Sequence, residues 1–194
     1  MGALARIATW GACAASIGYG VPQLLQVAGL LPDPVDRILI FAPSLALAPL
    51  FAVALAALAG EATGEGRAWR FGAFALALLY AGHVSQVYVG QLGVVIPREL
   101  AGMAPVTGFG CCGFRQPMTA VDLLGYTEMS LATLLLAPSF RGAARAWLAI
   151  NGLTAVPVFL QLWWPALIWA GAAWLVTFPV AMALVARALD RARA

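Results

Sequence analysis

Long apolar runs recur six times along the chain, each closed by a short stretch of proline, glycine, aspartate or arginine. A bilayer core of roughly 30 Å needs about 20 apolar residues of helix. The runs Ile7–Leu31, Ile38–Ala59, Phe71–Ile96, Thr119–Leu136, Ala146–Leu162 and Ala166–Ala186 have that length. The pattern therefore predicts an all-α, polytopic membrane protein, a single domain over 1–194 with six transmembrane helices in one bundle. Pro32-Asp33-Pro34, Gly60–Arg70 and Ser139–Arg145 supply the turns. Little more than Trp163-Trp164-Pro165 joins the last two runs, which predicts a tight hairpin.

Polar residues break the apolar pattern in particular places. The third run carries Tyr80, His83, Ser85, Gln86, Tyr88 and Gln91, and His83 is the sole histidine. Groups that hydrogen-bond or titrate are costly in hydrocarbon and need partners or a water-filled cavity. At about 1.5 Å per residue, the third and fourth helices place polar groups at three matched depths. Gln91 falls level with Asp122, Tyr88 with Tyr126, and His83 with Glu128. The first helix adds Tyr19, Gln23 and Gln26 in the same half. Asp122 and Tyr126 share one side of the fourth helix, whereas Glu128 points elsewhere, so the two carboxylates are not expected to meet.

Composition agrees with the spans. The chain is 63% hydrophobic and 10% charged, with mean hydropathy +0.90, against about 45–50% apolar and about 25% charged in soluble domains. The net charge of +3 comes from arginines flanking the runs, so it is read as topology and not as nucleic-acid binding. With a cytoplasmic N-terminus, the inner face holds Arg6, Arg67, Arg70, Arg141, Arg145, Arg187, Arg191 and Arg193. The outer face holds Arg37, Arg98 and Arg115. That bias predicts cytoplasmic N- and C-termini. The absence of lysine and the abundance of alanine suggest a GC-rich bacterial genome, hence the bacterial inner membrane. The first run is too long for a signal-peptide core and is read as a retained helix.

The hexapeptide Val21–Gln26 in the first helix matches Val156–Gln161 in the fifth at valine, proline, leucine and glutamine, and each is followed by a proline. This faint repeat is consistent with hairpins descended from one ancestral pair. Pro22-Gln23 resembles the Pro-Gln dipeptide of the PQ-loop family of small sugar and amino-acid carriers, over this helix alone and without a second copy, and the resemblance carries no function to this chain.

The longest connection, Pro97–Pro117, carries glycines at 102, 108, 110 and 113 together with Met103, Phe109 and Phe114. It is expected to fold over the mouth of the polar cluster as a lid. Cys111-Cys112 lies on it, free or bridged. Two thiols without a neighbouring histidine or third cysteine make a poor metal site, so no metal is expected. One histidine excludes bis-histidine haem ligation, and no nucleotide fingerprint is present, so no cofactor is expected.

These features point to a membrane enzyme doing acid/base chemistry, an isomerase, cyclase or hydrolase, on a small isoprenoid-like or sterol-like ligand in an outward-opening cavity. Glu128 is expected to donate the proton, with His83 as its conjugate base or orienter. Asp122 completes the catalytic set, and with Tyr88 and Tyr126 it is expected to position the substrate. Tyr19, Gln23, Gln26, Gln86, Tyr88, Gln91 and Tyr126 are expected to line the site. Trp169 and Trp174 are expected to stabilise positive charge through their ring faces. Two alternatives stay open: a proton-coupled small-molecule transporter, and a non-catalytic, quinone-binding subunit of a larger membrane complex. The expected partners are the lipid bilayer and the lipophilic ligand, with a homo-oligomer or membrane-complex partner open and no nucleic acid.

Overall fold

The structure, a computed structural model, describes residues 2–192. Arg193, counted above in the arginine bias, lies outside the described residues. Six helical segments follow one another: α1 (Ala3–Val27), α2 (Val35–Gly60), α3 (Gly66–Leu100), α4 (Pro117–Ser139), α5 (Gly142–Leu160) and α6 (Pro165–Arg191). The described residues contain no strand. Segments α2 to α6 are each long and apolar enough to cross a membrane. α1 has the length, 25 residues, but Thr9, Ser16, Tyr19, Gln23 and Gln26 dilute its apolar character.

The helix ends follow from local chemistry. α1 stops at Gly29, whose φ of 70° suits a residue without a Cβ. There the Leu30 N–H reaches Leu25 O at 2.9 Å and the Gly29 N–H reaches Gln26 O at 2.9 Å, a Schellman closure. The helix that opens the 97–117 loop ends the same way at Gly102 (φ 66°), with Met103 N–H on Arg98 O at 2.9 Å. The first residues of that loop are therefore helical, and the irregular stretch begins at Ala101. Within α3, Pro97 has no N–H to give the preceding turn, and Gln91–Val95 widens into a π turn. In α5, Pro157 likewise leaves Leu153 O without its usual donor, and the helix breaks at Thr154. α6 begins as short turns at Pro165–Leu167 and Ile168–Gly171 and becomes regular from Trp174.

Each helix packs on its sequence neighbours, and α6 returns to α1, so the six close into a ring. Arg6 meets Asp190 at 3.6 Å and Trp10 Nε1 donates to Asp190 Oδ2 at 3.2 Å, which places the start of α1 beside the end of α6. Small residues set the closest approaches. A Cβ on Gly125 would stand 2.7 Å from Val84 Cγ1, and one on Gly152 would stand 2.5 Å from Leu134 Cβ. Phe51, Tyr80, Phe178, Met129 and Leu136 fill the centre, all fully buried. Phe51 touches Phe178 edge-on at 5.3 Å and Tyr80 at 6.0 Å between centroids. The outside carries a broad apolar surface including Leu4, Ile7, Leu24, Val27, Leu79, Val89 and Val176, as lipid contact demands.

A separate cluster of polar side chains lies between α4, α5 and α6. Asn151 donates to Thr133 Oγ1 at 2.9 Å and accepts from Thr177 at 2.8 Å, while Ser130 meets Thr154 at 3.0 Å. These contacts join α4, α5 and α6 and hold the three helices together.

Candidate functional site

The ring is open at the end that carries the 101–116 loop. There a cavity of about 410 Å³ lies among α1, α2, α3, α4 and the broken ends of α5 and α6. Tyr19, Gln23 and Gln26 line it from α1, Tyr88 from α3, Thr119, Asp122 and Tyr126 from α4, and Trp169 and Trp174 from α6. The helix period explains the α4 set: Thr119, Asp122 and Tyr126 follow at three and four residues, one face of one helix.

Aromatic rings make the walls. Tyr19 stacks on Trp174 at 5.2 Å, Tyr126 lies 4.8 Å from Trp174, and Phe41 stacks on Tyr88 at 5.3 Å. The chain has four tyrosines, and all four gather here. Tyr88 and Tyr126 share a hydroxyl–hydroxyl hydrogen bond of 2.8 Å, and the Tyr19 and Tyr80 rings stand 6.2 and 5.9 Å from that of Tyr126. The Asp122 carboxylate sits beside the Tyr88 hydroxyl. Its Oδ1 is buried without any hydrogen-bond partner, as is the Tyr80 hydroxyl. A buried polar atom left unmatched costs about 1–3 kcal/mol. Arg70 Nε, Arg98 Nε and Ser139 Oγ are unmatched as well, away from this cavity, whereas Asp122 belongs to its lining.

A hydrogen-bonded chain runs up α1 to the rim. Tyr19 donates to Gln23 Oε1 at 3.2 Å, Gln23 to Gln26 Oε1 at 2.9 Å, and Gln26 to Asp36 Oδ2 at 2.7 Å. Arg37 lines the same rim and is ion-paired with Asp33 at 2.6 Å and with Glu99. It ties the α1–α2 turn to the end of α3.

The mouth faces sideways. Leu24, Val27, Ile168 and Trp169 line the cavity and are exposed on the apolar outside of the bundle, Trp169 to 78%. α1 packs on the regular part of α6 but leaves this gap beside the short turns.

The 101–116 loop packs on the ends of α3 and α4 beside the cavity and contributes Cys112 and Phe114 to its lining. Gln91 Nε2 donates to Phe109 O at 2.7 Å, and Phe109 lies so close to Gly90 that an added Cβ would come within 3.0 Å of its ring. Thr119 Oγ1 donates to Gly113 O at 2.8 Å and accepts from Cys112 N at 3.1 Å. Cys111 and Cys112 are disulfide-bonded, and Cys112 and Phe114 face the cavity. Cys112 has a φ of 89°, a backbone conformation that side-chain-bearing residues rarely adopt.

Two of the three depth-matched pairs form. Tyr88 meets Tyr126, and His83 Nδ1 meets Glu128 Oε2 at 2.8 Å. Gln91 does not join Asp122; it is buried against the loop and holds Phe109. The His83–Glu128 pair is absent from the cavity lining. Glu128 is buried, and His83 is partly exposed on the outer face of α3. Gln86 is also outside the cavity, exposed and bonded to Gly82 O of its own helix at 3.2 Å. The geometry thus separates Asp122, in the cavity, from Glu128, on the α3–α4 seam.

Arg37, Phe41, Thr119, Cys112 and Gln161 line the cavity without having been singled out as site residues. For Gln161 a signal existed: it occupies the last position of the repeated hexapeptide, as Gln26 does, and both reach the same cavity. Compared with known proteins, the chain matches no family model, no curated protein and no solved structure.

Proposed function

We propose that the protein is an enzyme of the bacterial inner membrane that performs acid/base chemistry on a small lipophilic ligand, isoprenoid-like or sterol-like, in the Asp122 cavity. The observation that carries this reading is the unpartnered Asp122 Oδ1 in an aromatic cavity that opens toward lipid. A carboxyl group in such surroundings exchanges a proton with whatever enters. Asp122 is the group that gives and takes it, the Tyr88–Tyr126 pair relays or orients, and Tyr19 and Trp174 hold the ligand or a developing positive charge by their ring faces. Glu128, bonded to His83 outside the cavity, serves the α3–α4 seam instead of the reaction.

All six helices span the membrane in this reading. Arg6, Arg67, Arg70, Arg141, Arg145, Arg187 and Arg191 lie toward the termini, and Arg37, Arg98 and Arg115 lie toward the lid. The bias favours cytoplasmic termini and a cavity in the outer half. A carrier would need a path through the other half, where Phe51, Phe178 and Met129 fill the centre, so the enzyme reading is preferred.

Lipid extraction and mass spectrometry of protein purified in nanodiscs test it. Wild-type protein is expected to carry one apolar molecule, Leu24→Trp to exclude it, and Asp122→Asn to hold it in a different chemical form. Identical lipid content in all three, with only bulk phospholipid bound, would count against the proposal.

A further inference from the structure

The Cys111–Cys112 bridge has no staple to provide. A bond between chain neighbours closes the smallest possible loop, removes almost no chain entropy and ties no two helices together. The loop is already held by Gln91 on Phe109 O and by Thr119 on Cys112 N and Gly113 O. Yet Cys112 faces the cavity that contains Asp122, and its residue is exposed enough to be reached from the aqueous side of the loop.

The geometry points to a two-electron redox site: the Cys111–Cys112 pair exchanges electrons with a quinone bound in the Asp122 cavity. This inference rests on the reading of that cavity as a lipophilic-ligand site and names the ligand class. A flat ring suits the Tyr19, Tyr126 and Trp174 walls. An isoprenoid tail suits the sideways mouth at Leu24, Val27 and Trp169. The Tyr88 and Tyr126 hydroxyls suit a carbonyl oxygen.

The step balances without a metal or a bound cofactor. Two thiols and one quinone give one disulfide and one quinol. Two S–H bonds break and one S–S bond forms, while two electrons and two protons pass to the two quinone oxygens. Asp122 passes a proton within the cavity. The dithiol is regenerated by thiol–disulfide exchange with two soluble thiols at the exposed loop. The first thiolate attacks the bridge, forming a mixed disulfide and releasing one cysteine thiolate. The second attacks that mixed disulfide, releasing the other cysteine and leaving as the oxidised soluble disulfide, while the two thiol protons pass to the two cysteines.

The test uses the full chain in nanodiscs with the buried Cys13 replaced, Cys13→Ser, so that only the vicinal pair reports. The protein is reduced, freed of reductant without oxygen, and mixed with a short-tailed benzoquinone bearing a substituent at every ring position, which blocks thiol addition to the ring. The expected result is two thiols lost, by mass-tag labelling, for each quinone reduced, by its ultraviolet absorbance. Leu24→Trp is expected to slow this about tenfold or more, while its thiols still oxidise normally with the soluble oxidant diamide. Equal rates with quinone in both proteins would mean that quinone acts from solution, and the inference falls. Quinone bound by native mass spectrometry with its thiols intact overturns the redox step and leaves the lipophilic-ligand site standing. No quinone binding at all, with another apolar molecule in the cavity, overturns the quinone assignment alone, and an empty cavity overturns both readings.

Discussion

Tyr88 and Tyr126 meet hydroxyl to hydroxyl at 2.8 Å across the seam between α3 and α4, and both rings line the cavity. The contact is the point where a helix-packing bond and the ligand site coincide. Asp122 stands one turn from Tyr126 on the same helix face, beside the Tyr88 hydroxyl.

Replacing either tyrosine by phenylalanine leaves the other hydroxyl buried without this partner, at a cost of about 1 kcal/mol. The two hydroxyls share a single bond, so the double phenylalanine variant costs no more than the worse single one. Unfolding in mixed lipid–detergent micelles measures the cycle, and strictly additive losses would refute the coupling.

Asp122 and His83 should behave oppositely in the same assay. Asp122→Asn removes a carboxylate whose Oδ1 has no partner, so stability holds or rises while ligand chemistry is lost. His83→Ala strips the buried Glu128 of its 2.8 Å bond and costs about 1–3 kcal/mol, with ligand occupancy of the cavity kept. Loss of the ligand on His83→Ala in a well-folded protein would return the pair to the working centre.

Gly152 and Gly82 make a matched test of packing. A methyl at Gly152 would fall 2.5 Å from Leu134 Cβ and 2.9 Å from its Cα, so Gly152→Ala should cost about 1–3 kcal/mol by forcing α4 and α5 apart. Gly82 has nothing within 4 Å of its added Cβ, and Gly82→Ala should be neutral or mildly stabilising. Thermal unfolding of the two variants side by side gives the comparison.

The seating of the 101–116 loop depends on a bare backbone at Gly90. Gly90→Val places atoms where the Phe109 ring lies and should lift the 101–116 loop while α3 stays helical. Hydrogen exchange would then quicken in that loop and stay slow in α4; unchanged protection of Phe109 to Gln116 would show that the ring is not seated as described.

The all-helical architecture of long apolar helices and two of the three depth-matched contacts were legible in the chain, because hydropathy and depth are one-dimensional quantities. A run of about 20 apolar residues marks a helix wherever it falls, and a rise of about 1.5 Å per residue set Tyr88 level with Tyr126 and His83 level with Glu128 before any packing was known. The tight joint at Trp163-Trp164-Pro165 follows from the same linear spacing.

Facing is a different matter, and tertiary structure alone decided it. Asp122 and Glu128 lie about 120° apart on α4 at about 100° per residue. Which of the two met the cavity depended on how α4 rolls between α3 and α5. Gly125 against Val84 and Gly152 against Leu134 fix that roll, by steric contacts that no single helix contains. They turn Asp122 inward with a bare oxygen and leave Glu128 to His83.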